Sequence, residues 1–299
     1  MSSSDSNTDD AGQGVHMRLQ HGVPGQSPGT KPLYSEDHVP QRYKDNWGGD
    51  MEKATRRWKK TFEWRKENKV DEIINTPQPH FLQCREVSPV YVHGRSRKGM
   101  PVLWDLVGKF DLPKADKLNF DLALLTPYYV FLNECIWRVL LDKGENDDDL
   151  AQFITVEDVS GVQLQHLASS RLWKVMKALT GIMKEHYVER CHKTYIINAP
   201  SSFAIMWRLV APMLGSRTRN KVTILGKDYL KAMEKEIDIS QIPVQYGGRS
   251  ERAIDDSDDE RKIQSLVKRL NSSSEGDEGE RQVAVDNGGL RGRASSIAG

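Results

Sequence analysis

Apolar side chains follow two rhythms along this chain, and each predicts a different element. From about residue 50, Ala54, Trp58 and Phe62 recur at intervals of four, and Thr61 and Trp64 thicken the same stripe. A period near 3.6 predicts an amphipathic helix over MEKATRRWKKTFEWRKEN, with Asp50 as its N-cap and Lys53 and Arg56 on the outer face. So aromatic a stripe reads as packing on a partner surface, with membrane insertion as the alternative. VDEII adds a short helix before Pro77 and Pro79 interrupt regular structure.

From Pro89 the rhythm shortens. PVYVHG and MPVLWDLV flank RSRKG and predict two strands joined by a turn, and AQFITVEDVSG, TYIIN and KVTIL supply three more strand runs. Helical patterns separate them. Residues 118–141 carry Leu122, Leu125, Tyr129, Leu132, Ile136 and Leu140, with Pro127 as a bend or a helix start and the acidic GENDDDL as the end. LQHLASSRLWKVMKALTGIMKEHY offers Leu164, Leu167, Leu172, Val175, Met176 and Leu179 for burial. SFAIMWRLVAPML follows TYIIN, and a polar helix over residues 229–236 precedes DISQIPVQYGG. Strands alternating with crossover-length helices predict an α/β fold with a mostly parallel sheet covered by helices. The margins have no rhythm: residues 1–38 and 272–299 are rich in small and polar residues and read as a disordered leader and tail.

Composition narrows the function. The 299 residues are 37 % hydrophobic and 28 % charged, which suits a folded core with polar margins. A net charge of +1 removes any whole-protein attraction to nucleic acid. Cys84, Cys135 and Cys191 stand far apart, as in a reducing compartment, and MSSSDSNTDD has no secretory pattern, so the expected location is cytoplasmic. No apolar run reaches the length of about 18 residues that a spanning helix needs, so contact with a membrane is expected to be peripheral.

Reactive constellations are not found. His166, His186 and His192 lack metal-ligand spacing, and neither a phosphate-binding glycine motif nor a GxSxG elbow occurs, so no metal, cofactor or catalytic residue is assigned. Glu157 and Asp158 end a strand run, but adjacent strand residues face opposite ways; Asp158 is expected to cap the turn Val159-Ser160-Gly161. The unusual element is SFAIMWRLVAPML, in which Phe203, Ile205, Met206, Trp207, Leu209, Val210, Met213 and Leu214 surround a single charge, Arg208. Such a helix is either a central core element or a lid that seals an apolar ligand.

Five segments taken in order, GRSRKGMPV (94–102), VEDVSG (156–161), HYVERCHKTYIINAPSSF (186–203), KVTILG (221–226) and IPVQYGG (242–248), resemble the Sec14-like, or CRAL-TRIO, family of lipid-binding and lipid-transfer proteins. DMEKATRRWKKTFEWRKEN resembles the end of the helical domain that precedes the lipid domain in that family. The resemblance implies a floor of parallel strands, helices on one side, and a mobile helix at about residues 201–214 over a deep apolar cavity. It divides the chain into a partial N-terminal helical domain (39–84), a lipid-binding domain (85–249) and a C-terminal helical extension (250–271). It implies non-enzymatic binding and intermembrane transfer of a phospholipid, phosphatidylinositol first of all, by a monomer that meets membranes transiently. Glu189, Thr218 and Lys221 would hold the headgroup; Thr155, Phe203, Met206, Trp207, Val210 and Leu214 would line the cavity or its gate.

The same fold would also serve a lipid-sensing adaptor that retains its lipid and recruits a protein partner through its tails. Two departures stand out. Phe153-Ile154-Thr155 replaces the Ser-x-Thr of members that bind phosphatidylcholine, and YSEDHVPQRYKDNWGG stands where a Leu-Arg-Ala-Arg type helix is usual. YIINAPSSF is expected to be the hinge between fixed floor and moving lid.

Overall fold

The structure is a computed structural model and describes residues 34–118, 122–141, 151–162 and 169–273. The strand runs assemble into one five-stranded sheet in chain order, β1-β2-β3-β4-β5. β1 (Val90–Arg95) and β2 (Pro101–Asp105) form the antiparallel hairpin, and β3 (Phe153–Asp158), β4 (Cys191–Ile197) and β5 (Val222–Ile224) add in parallel. Side chains alternate across a strand, so each strand serves two layers. Val102, Trp104, Ile154, Val156, Tyr195 and Ile197 pack on Met233, Ile237, Ile242, Tyr246 and Ile254. The alternate positions Leu103 and Phe153 join the helical core on the other face, together with Leu125, Phe131 and Val175.

Ten helices surround this sheet among the described residues. α1 (Gln41–Asn46), α2 (Met51–Glu67) and α3 (Phe81–Val87) precede it. α4 (Leu112–Lys117) and α5 (Leu122–Cys135) follow the hairpin, and α6 (Ser170–His186) precedes β4. α7 (Phe203–Val210) and α8 (Ser216–Lys221) lie between β4 and β5. α9 (Leu230–Met233) and α10 (258–273) close the chain.

Several sequence expectations are corrected. Pro127 lies inside α5, and α5 passes into a π-helical turn at Ile136–Leu140. The polar helix expected over 229–236 shrinks to α9, because Ile237 is buried and bridges to Ser96 in extended conformation. Tyr34, within the segment expected to be a leader, packs its ring edge-on against Trp58 at 5.4 Å. The Ser35 carbonyl accepts the Trp58 indole N–H at 3.1 Å, giving a buried donor the partner it needs. GENDDDL, Leu164 and Leu167 lie outside the described residues.

Two buried ionic contacts attach the flanking helices. The Arg65 guanidinium on α2 donates to both oxygens of Glu134 on α5 at 2.9 Å, and the Tyr187 hydroxyl donates to the same carboxylate at 3.0 Å. Glu260 on α10 pairs with buried Arg85 on α3 and accepts the Val92 backbone N–H at 3.0 Å. That contact occupies a backbone donor that β1, as an edge strand, would otherwise present to another sheet. Replacing Glu134 by Ala leaves the buried Arg65 guanidinium with Asp71 as its remaining carboxylate, takes the acceptor from the Tyr187 hydroxyl, and should cost about 3 kcal/mol in urea unfolding, while exposed Glu63→Ala should change stability by less than about 0.5 kcal/mol.

Candidate functional site

The site begins where α6 gives way to β4. The tight turn holds Glu189 at φ 58, a left-handed conformation that costs a non-glycine residue free energy and often marks a functional position. Its carbonyl accepts the Gln152 amide at 2.8 Å, and its carboxylate meets α8. Lys221, the last residue of α8, donates to Glu189 Oε2 at 2.6 Å and to the Cys191 carbonyl at 2.8 Å. Thr218 stands one turn earlier, half-buried, with no hydrogen bond to another described residue. The fold thus brings Glu189 and Lys221 into contact and leaves the Thr218 hydroxyl available. Arg217 was not among the site residues expected from the sequence. In fact its guanidinium lies 3.7 Å from Glu189 Oε1 and donates to the Asp45 carbonyl of α1 at 3.2 Å. The signal was its spacing: residues 217 and 221 are four apart and share a helix face.

α7 is two-sided. Phe203 and Met206 are buried against Val159 and Ile196, whereas Ile205 and Leu209 are about half exposed. Val210 and Leu214 are half-buried. Trp207 turns toward an open pocket of about 420 Å³ that it shares with Pro200, Arg208 and Ile224. The helix expected to be apolar all round therefore divides its circumference between core and surface.

The segment leading into α7 is pinned by one carboxylate. Asp158 Oδ1 accepts the Ser160 backbone N–H and the Asn198 side-chain amide, each at 2.9 Å, and Oδ2 accepts the Tyr246 hydroxyl at 3.0 Å. This satisfies the capping role expected of Asp158 and adds two partners from distant segments. Asn198 itself is left-handed, at φ 57, and its N–H is held by the Gly226 carbonyl at 3.2 Å. Gly108 lets the chain pass directly over Ser160, since a Cβ there would lie 1.7 Å from the Ser160 carbonyl oxygen.

The inner face of the sheet carries an unexpected polar stripe. Thr155 and Cys191 are half-buried, and the Cys191 thiol contacts the Thr194 hydroxyl at 3.3 Å. Asp105 and Glu157 face each other in register across β2 and β3. Burial lifts both carboxyls to about 7, and for Glu157 the neighbouring Asp105 charge adds to the effect. Yet both side chains keep accessible surface. Sequence reasoning weighed Glu157 only against Asp158 and missed Asp105, whose proximity depends on strand pairing.

The CRAL/TRIO domain profile matches residues 85–248. The chain belongs to the CRAL/TRIO domain family. Among relatives of this CRAL/TRIO protein, the phosphatidylinositol/phosphatidylcholine transfer protein SFH9 of Arabidopsis thaliana is 28 % identical over 223 residues, covering 73 % of this chain and 38 % of its own. The SEC14 cytosolic factor of Eremothecium gossypii is 30 % identical over 193 residues, covering 63 % and 61 %. The chain therefore spans less than two thirds of either relative. The crystal structure of Sfh5 superposes with a TM-score of 0.58 at 18 % identity over 77 % of this chain and 78 % of that one, a likeness of fold. The Sec14-like membership and α/β architecture expected from the motifs are thus found.

Asp158→Ala removes the acceptor shared by three donors and should destabilise the protein by about 2–4 kcal/mol, whereas Tyr246→Phe, which deletes one bond, should cost about 1 kcal/mol. Chemical denaturation of both variants checks the order.

Proposed function

We propose that this protein binds a phospholipid, in the first place phosphatidylinositol, and carries it between membranes as a cytoplasmic monomer without chemical change. The observation that supports this reading is the Glu189–Lys221 contact, with Arg217 and Thr218 beside it, next to the inner face of the sheet. A headgroup phosphate takes Lys221, Arg217 and the Thr218 hydroxyl, and Glu189 turns to accept hydrogen bonds from inositol hydroxyls. In the absence of a headgroup, acid and base neutralise each other, so neither charge stands alone in a partly desolvated place.

The acyl chains enter between the sheet and the helices. Each buried CH₂ contributes about 0.8 kcal/mol, so ten contribute roughly 8 kcal/mol before ordering costs. α7 is the gate: Ile205 and Leu209 face the bilayer, and the Phe203 and Met206 contacts with Val159 and Ile196 open to admit lipid. Val210 and Leu214 continue the gate, and Thr155 lies on the floor beneath it. Phe153 and Leu103 supply bulk rather than hydroxyls on that floor, which disfavours a phosphatidylcholine headgroup there. Among the described residues no helix is long and apolar enough to cross a membrane, so the encounter is peripheral.

Vesicle-to-vesicle transfer tests the reading. Lys221→Ala should lower phosphatidylinositol transfer by about tenfold while leaving the melting temperature within a few degrees. Equal loss for an uncharged apolar lipid would make the lysine structural. Trp207→Ala should slow exchange; unchanged transfer with a lowered melting temperature would return that side chain to the core. Tight retention of lipid without transfer would favour the lipid-sensing adaptor.

A further inference from the structure

The headgroup site turns on one strained residue, and residues 34–47 surround it. Glu189 keeps its left-handed φ of 58 only while its neighbours over-determine the turn. Each neighbour is held from α1 or from the stretch just before it. On one side, the Tyr43 hydroxyl lies 3.2 Å from the His186 carbonyl and 3.0 Å from the Thr61 hydroxyl of α2. Val188 is buried among Tyr34, Val39, Tyr43 and Trp58. On the other side, the Arg190 guanidinium donates to the Tyr34 hydroxyl at 3.5 Å and to the Ala151 carbonyl at 3.1 Å. The Asp45 carbonyl accepts from Arg217, the cation that stands 3.7 Å from Glu189 Oε1.

Packing alone would be served by phenylalanine at both tyrosine positions, because the rings of Tyr34 and Tyr43 already meet Trp58 edge-on at 5.4 and 5.3 Å. Their hydroxyls do something else. A buried hydroxyl needs a partner, and both hydroxyls find one in the turn that carries Glu189. A carboxylate is useful to a headgroup only where supporting contacts fix its direction, and here those contacts come from outside the lipid-binding domain.

We propose that residues 34–47 are a positioning element for the headgroup site: Tyr34 and Tyr43 hold the Glu189 turn, and the Asp45 carbonyl holds Arg217. Acid and cation then meet the headgroup at fixed places. The inference rests on the reading of Glu189, Arg217 and Lys221 as headgroup ligands. YSEDHVPQRYKDNWGG, one of the two stretches in which this chain departs from its family, thereby reaches the ligand site.

Vesicle-to-vesicle transfer of phosphatidylinositol by the full chain tests the assignment. The double variant Tyr34→Phe, Tyr43→Phe keeps both rings and removes both hydroxyls; it should lower transfer by about fivefold and the melting temperature by a few degrees. Ser257→Ala removes the cap of α10 beside β1, at the other edge of the sheet, and is the control. It should lower the melting temperature similarly and leave transfer within about twofold of the unaltered protein. In a Glu189→Gln background the tyrosine replacements should change transfer by less than about twofold, because they act through the carboxylate. Transfer by the double variant within about twofold of the unaltered protein, an equal loss in Ser257→Ala, or an undiminished loss on top of Glu189→Gln overturns the proposal. Glu189→Gln alone separates it from the reading beneath. If that variant transfers phosphatidylinositol as well as the unaltered protein, the headgroup reading fails and the positioning role with it; if it lowers transfer and the double variant does not, only the positioning role falls.

Discussion

One carboxylate ties together the parts of this protein that have to stay fixed relative to each other. Asp158 closes β3, holds the turn after it through Ser160, holds the end of β4 through Asn198, and holds the outer layer through Tyr246. Three of the segments that carry the family resemblance, VEDVSG, the NAP stretch and VQYGG, therefore meet at one point. Their joint occurrence in sequence has a mechanical cause: a single acceptor group serves donors from three elements, and its loss leaves those donors without their partner. α7 leaves the sheet directly beyond this junction. It starts from a rigid base, however freely the rest of the helix moves.

The two faces of the sheet show how the alternation of strand side chains divides labour. The outer face is largely apolar and packs against short helices and turns. On the inner face, acids, a thiol and hydroxyls interrupt the apolar residues, and several of these keep accessible surface. A core made only for stability would not place Asp105 and Glu157 side by side, since each raises the cost of ionising the other.

Much of this was legible in the chain because the responsible signals are local. Period-two runs, a glycine-bearing turn and an N-cap at Asp50 fix elements through contacts within a few residues, and α2 and the β1–β2 hairpin follow directly. Glu189 and Lys221 were legible through the resemblance, and the fold brings them to 2.6 Å. What escaped depends on pairing across distance. Arg65 with Glu134, Arg85 with Glu260, and Asp105 opposite Glu157 carry no periodic or neighbouring mark, because strand register and helix docking create them. The short extent of α9 escaped for a related reason: the tertiary burial of Ile237 overrides a locally helical composition.

The position of Lys221 joins the proposed headgroup site to the proposed gate. It ends α8, and α8 is separated from α7 only by a 3₁₀ turn at Ala211–Met213 and the short link through Leu214 and Gly215. Its ammonium also holds the Cys191 carbonyl, at the start of the strand whose far end feeds α7. In the proposed exchange, a phosphate that draws Lys221 away from Glu189 therefore pulls on the connection that carries the gate. A headgroup with no anion to offer leaves the Glu189–Lys221 contact intact and the gate helix on Val159 and Ile196. Selection of the headgroup and movement of the lid would then be two consequences of one exchange of ionic partners.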